Sequence, residues 1–162
     1  MNKEGHILNA ALLGIGLGFV LEPSGTFETL DTVIAVTIPV TLGALFPDVD
    51  TAFGKHRKTL HNLPVLGVFA AFPFVFGNLS YVWIGIFTHY VLDYLGSRRG
   101  IALFYPASKV EYGFPSGVTT SSRFANTVTI IVTAVELAVA GVIVHVLPEY
   151  IDIGAITAIL PV

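Results

Sequence analysis

The chain has 162 residues, of which 54% are hydrophobic and 12% charged, and its mean hydropathy is +0.79. A soluble domain usually has about 25% charged residues, so this balance excludes an ordinary water-soluble core and points to lipid as the main solvent. The net charge of -3 excludes a broadly basic nucleic-acid binder. The absence of cysteine excludes disulfides, iron–sulfur clusters and thiolate zinc sites, leaving imidazole and carboxylate as ligands for any transition metal.

Five apolar segments follow in chain order, and each predicts a helix. The first covers residues 6–21. Its length also suits a secretory signal, but no small-x-small cleavage pattern stands at Leu21-Glu22-Pro23, and Gly14, Gly16 and Gly18 suit close helix packing in lipid. The second covers residues 30–46 and is closed by Pro47, since the residue before a proline disfavours the helical region. The third covers 63–76, the fourth 79–95 and the fifth 124–147. The apolar tail from Tyr150 to Val162 is brief and suits the membrane interface. The expectation is a single all-α domain over residues 1–162, a polytopic membrane helical bundle of about five transmembrane helices.

Basic residues fall on alternate loops. Lys3 precedes the first helix, Lys55, Arg57 and Lys58 follow the second, and Arg98, Arg99, Lys109 and Arg123 follow the fourth; the other two links and the tail hold none. The positive-inside rule then places the N-terminus and residues 47–62 and 96–123 in the cytoplasm, in the cell membrane, with the C-terminus outside.

On this topology most of the histidines gather at one depth. His6 opens the first helix, Asp48 and Asp50 close the second, His56 and His61 lie in the following loop, and His89 and Asp93 lie in the last turns of the fourth helix. Only His145 lies near the opposite face. The i, i+4 spacing of His89 and Asp93 puts both on one helix face, able to bind one ion or bridge two. Taken alone, that pair also reads as a hydrogen-bonded helix end, and Asp48 with Asp50 as a turn or cap. Two histidines within eleven residues of Asp50 strengthen the metal reading; one aspartate can also orient a ligating imidazole. His56 and His61 are i, i+5 and converge only across a loop or helix start, and Pro64 suits a helix beginning near Asn62. Glu136 stands near the middle of the fifth segment, where a carboxylate reads either as part of an ion path or as a neutral acid bonded to a hydroxyl such as Thr129 or Thr133, or to another helix.

An early His6, Pro47-Asp48-Val49-Asp50, His56-Arg57 with His61, His89 with Asp93, and Arg99-Gly100-Ile101-Ala102-Leu103-Phe104-Tyr105-Pro106 together resemble the YdjM-like family of inner-membrane proteins, described as metal-dependent hydrolases. Leu60 and Asn62 flank His61 where family members usually carry Thr and Ser, and Gly96-Ser97 stands where Thr-Pro is usual. The pattern is also similar in outline to zinc-dependent phospholipase C and the related zinc nucleases. The resemblance implies one or two divalent ions, zinc foremost, held by His6, Asp48, Asp50, His56, His61, His89 and Asp93, with Asp48, Asp50 and Arg57 as the catalytic groups. Two such ions against three aspartates leave net positive charge, and Arg57, Arg98 and Arg99 add cations suited to phosphate. The expected substrate is therefore an anionic phosphoester or phospholipid drawn from the membrane. The alternatives are a non-catalytic protein whose structural metal site binds a cytoplasmic partner, or a transporter using Glu136; a chain without an inverted repeat disfavours the latter.

Overall fold

The computed structural model describes residues 3–115, 117–119 and 122–150, and every named element among them is helical. In order these are α1 (Lys3–Leu21), α2 (Phe27–Leu45), a 3-10 turn (Pro47–Ala52), α3 (Leu63–Phe76), α4 (Val82–Gly96) and α5 (Ala125–Gly141). α5 runs on through a π-helical stretch, Val142–Val146, into a last turn, Leu147–Tyr150. The expected segments differ from these mainly at their starts. α2 begins at Phe27 because Thr26 caps it, its hydroxyl accepting the Glu28 amide at 3.3 Å. α4 begins at Val82 because Gly77 and Leu79 take left-handed φ values of 68° and 58°, which turns the chain before the helix can start. The expected interfacial tail lies, from residue 151 on, outside the described residues.

Among the described residues, three helices are long and apolar enough to cross a membrane: Lys3–Leu21, Phe27–Ala52 and Ala125–Tyr150. α3 and α4 have 14 and 15 residues, which at ~1.5 Å per residue is about 21–23 Å against a hydrocarbon core of ~30 Å. Outward-facing apolar side chains such as Ile34, Ile38, Leu42, Ile131, Val135 and Val139 give α2 and α5 faces fit for lipid.

α1 and α2 pair through Ala10, Leu13, Leu17, Val36, Val40 and Ala44. α4 lies against α2 at a backbone-to-backbone approach: a Cβ on Gly85 would stand 2.0 Å from the Val40 carbonyl oxygen, and one on Gly43 2.0 Å from that of Val82. α5 closes the bundle through Ala125 and Val132 on Leu92. The long link after α4 folds back over the loop before α3. Its buried Ile101 packs with Val82, Ile86 and Tyr90, the Ala102 amide donates to the Arg57 carbonyl at 3.0 Å, and the Leu63 amide donates to the Leu103 carbonyl at 2.8 Å.

Candidate metal centre

Four helix ends share one face of the bundle: the start of α1, the end of α2, the start of α3 and the end of α4. They deliver His6, Asp48, Asp50, His56, His61, His89 and Asp93, and each of the seven lies within 4 Å of another of them. His6, Asp50, His61, His89 and Asp93 are only 0–1% exposed. Asp48 and His56, at 27% and 39%, form the open side.

Local sequence explains the placement. Pro47 opens the 3-10 turn, a position its ring favours, and the turn carries both aspartates. Asn62 caps α3, its Oδ1 accepting the Val65 amide at 3.1 Å, while its Nδ2 donates to the Lys58 and Thr59 carbonyls at 2.8 and 2.9 Å. The Tyr90 hydroxyl donates to the Leu60 carbonyl and receives the Asn62 amide, fixing the histidine loop to α4. Arg57 adopts a φ of 66°, a strained conformation for a non-glycine residue. Its buried guanidinium holds it there: it donates to the Arg99 carbonyl, to Ser97 Oγ at 3.1 Å and to Asp93 Oδ1 at 3.3 Å.

Proton bookkeeping defines the centre. His89 Nδ1 lies 2.7 Å from the Ala44 carbonyl oxygen, which can only accept, so Nδ1 carries the proton. His61 Nδ1 lies 3.0 Å from Asp50 Oδ2, which also receives the Leu60 amide, so that nitrogen is protonated too. The two Nε2 atoms stand 3.1 Å apart, and where both rings are neutral each offers a lone pair to a shared cation. Asp48 Oδ1 lies 3.7 Å from each of these nitrogens, and Asp93 Oδ2 lies 3.9 and 3.8 Å from them. The carboxylate separations are too long for hydrogen bonds. The four side chains would be within reach of one shared cation. His6 adds a further group. Its ring stacks on His89 at 3.6 Å, its Nε2 is 3.4 Å from Asp93 Oδ1, and its buried Nδ1 has no hydrogen-bond partner among the described residues. Two adjoining triples can each hold an ion, His6 with His89 and Asp93, and Asp48 with His56 and His61. The residues present thus fit a divalent metal, with the imidazole and carboxylate set that zinc accepts.

A family model described as YdjM inner membrane protein matches residues 1–160. The chain belongs to the YdjM inner membrane protein family. No match was found among curated proteins or solved structures.

In this YdjM-family protein Asp48 and Asp50 face different ways. Asp50 accepts from His56 Nδ1 with Oδ1 and from His61 Nδ1 with Oδ2, both at 3.0 Å, whereas Asp48 turns Oδ1 toward the Nε2 atoms of His61 and His89. Of the expected cations, Arg57 spends its donors on the protein, and Arg99 is paired bidentately with Glu111 at 3.0 and 3.1 Å. That pairing, helped by Lys58 at 3.1 Å, holds the Glu111 carboxyl down to about 2. The cation the sequence reading did not assign to the site is Lys3. It lines a cavity of about 510 Å³ with Leu45, Asp48, Val49, Thr51 and His56; its signal was the i, i+3 spacing to His6, which puts both on one face of α1. A second, apolar groove of about 320 Å³ runs between α3 and α4 past Leu66, Phe87, Tyr94 and Tyr90. The Tyr90 ring stacks 6.0 Å from His61. Glu136 meets neither Thr129 nor Thr133, whose hydroxyls bond back to α5 carbonyls; its partners are Asn9 of α1 and Thr88 of α4. His145 stands in the π-helical stretch of α5, away from the cluster in sequence and element.

Proposed function

We propose that this membrane protein is a metal-dependent hydrolase acting on a phosphoester or phospholipid-like anionic substrate at the cytoplasmic interface. One or two divalent ions, zinc foremost, are held by His6, Asp48, His56, His61, His89 and Asp93, with Asp50 orienting His56 and His61. The reading is carried by the Nε2 atoms of His61 and His89, which stand 3.1 Å apart between two carboxylates, an arrangement that a metal cation would bridge. A divalent ion bound there supplies Lewis acidity toward a phosphoryl oxygen and acidifies water.

The chain's own residues set the rest. Asp48, half-buried between the centre and the cavity, is placed to take a proton from water arriving there. Lys3 at the cavity rim attracts an anion, and Arg57 holds Asp93 in place while its strained turn presents His56 and His61. The apolar groove beside Tyr90 suits an acyl chain, which supports a lipid substrate. The open side at Asp48 and His56 supports catalysis over a purely structural site, since structural zinc is closed by four protein ligands.

Elemental analysis of the detergent-purified protein tests this reading. Wild type is expected to retain zinc or manganese, and the His89→Ala, Asp93→Ala double variant to lose it. The loaded wild type should then hydrolyse bis(p-nitrophenyl) phosphate or a short-chain phospholipid and lose that activity in chelator. A folded wild type that stays metal-free after exposure to both ions overturns the proposal. Stable metal without hydrolysis of either ester moves the reading to a structural site that docks a partner.

A further inference from the structure

Asn9 follows His6 by three residues on α1, Thr88 directly precedes His89 on α4, and Glu136 reaches both from α5. The three side chains form a tight knot of hydrogen-bonding atoms on the membrane-interior side of the two histidines. Thr88 Oγ1 lies 2.5 Å from Asn9 Oδ1, 2.7 Å from Glu136 Oε1 and 2.8 Å from Glu136 Oε2. Asn9 Nδ2 lies 2.9 Å from Thr133 Oγ1 and 3.0 Å from Glu136 Oε2.

Counting protons leaves the knot one short. A threonine hydroxyl has one hydrogen, and an amide oxygen and a carboxylate have none. If Thr88 donates to Asn9 Oδ1, its contact with Glu136 needs a proton from the glutamate. If the Asn9 amide is flipped, Nδ2 donates to Thr88 and Thr88 donates to Glu136, but Asn9 Oδ1 then faces Glu136 Oε2 at 3.0 Å with no hydrogen between them. Either orientation is satisfied only when Glu136 is a carboxylic acid. An ionised carboxylate among neutral partners in the bundle interior would also cost several kcal/mol.

We infer that Glu136 is held as a neutral acid whose hydrogen bonds to Thr88 and Asn9 lock α1, α4 and α5 together, making it the positioning residue behind His6 and His89. The lock sets the axial rotation of both helices, and so where the two imidazoles point. The positioning role rests on the metal reading, whereas the stored proton does not.

Infrared spectroscopy in a detergent without carbonyl groups tests the proton directly. Wild type should show the C=O stretch of a protonated carboxyl, shifted by deuterium exchange. Glu136→Gln should lack it, and Thr88→Val should shift it by removing a hydroxyl that hydrogen-bonds to the carboxyl in either orientation. Glutamine can donate and accept at the same places, so Glu136→Gln should keep wild-type zinc affinity, while Glu136→Leu should lose about 10-fold or more, the range seen when groups supporting ligands are removed. A wild type without the band, a band that Glu136→Gln retains, or a Glu136→Gln protein that loses zinc as fully as Glu136→Leu overturns the inference. Should Glu136→Gln not fold, the wild-type band and its shift in Thr88→Val decide the matter. A wild type that shows the band but binds no zinc would retain the neutral acid and overturn both the positioning role and the metal reading.

Discussion

Asp48 and Asp50 stand two positions apart on one 3-10 turn, yet of the two only Asp48 faces the Nε2 atoms of His61 and His89. The gathering of the seven residues was legible because helix ends on one side of a membrane must share a depth, so topology alone brought distant positions together. The division of labour within the pair was not legible, because it depends on which way a buried turn is rotated. Asp50 accepts from His56, His61 and the Leu60 amide at once. Asp50→Ala therefore leaves three donors unsatisfied and frees both rings to turn. A metal affinity lower by about 10–100-fold, the effect typical of removing a group that orients a ligating histidine, is expected by competition against a chromogenic chelator. Asp50→Asn should recover part of the loss, since its amide oxygen still accepts one of the imidazole protons. Unchanged affinity in Asp50→Ala would show that the orienting role is wrong. The Glu136 partners were hidden for a related reason: Asn9 and Thr88 are neutral polar residues in apolar segments, and nothing in the spacing of α5 ties Glu136 to either.

Among the helices, the α2–α4 contact bears most directly on the centre. Gly85 precedes His89 by one turn on the same face of α4, and Ala44, whose carbonyl receives His89 Nδ1, follows Gly43 on α2. A methyl at Gly85 would meet the Val40 oxygen at 2.0 Å and the Ala44 nitrogen at 2.6 Å, and neither backbone atom can move without its helix. Gly85→Ala should thus cost about 1–3 kcal/mol, as overpacking a tight interface does, and should also weaken metal binding by drawing His89 off Ala44. Gly67→Ala on α3, where an added Cβ meets nothing within 4 Å, is the control expected to leave both unchanged. Thermal unfolding in detergent and zinc titration read the two effects. A Gly85→Ala protein indistinguishable from Gly67→Ala would refute the argument. The sequence located all five helices to within a few residues because hydropathy is a composition signal. It did not predict the Gly43–Gly85 approach, since two single glycines in different segments carry no pairing information, whereas Gly14 and Gly18 already suggested close packing of α1.

At the scale of the whole molecule, sidedness and site are one question. The starts of α1 and α3 and the ends of α2 and α4 meet at the candidate metal centre, so these four ends lie on the same membrane face however deep the shorter pair α3 and α4 reaches. That face also carries Lys3, Lys55, Arg57, Lys58, Arg98, Arg99 and Lys109, while the Glu22–Glu28 link between α1 and α2 carries acidic residues and no basic one. Basic loops are retained on the cytoplasmic side, and on that rule we propose that the open cavity at Asp48 and His56 lies there. The chain lacks cysteine, so single thiols report cleanly. Exposed Ser24, in the α1–α2 link, and exposed Ala107, in the link after α4, are suitable positions. Ser24→Cys in intact cells should react with a membrane-impermeant maleimide, whereas Ala107→Cys should react only after the membrane is opened. The reverse pattern would move the centre to the outer face. A hydrolase there would meet a different leaflet and a different set of anionic lipids, while the geometry that binds the ion would stand unchanged.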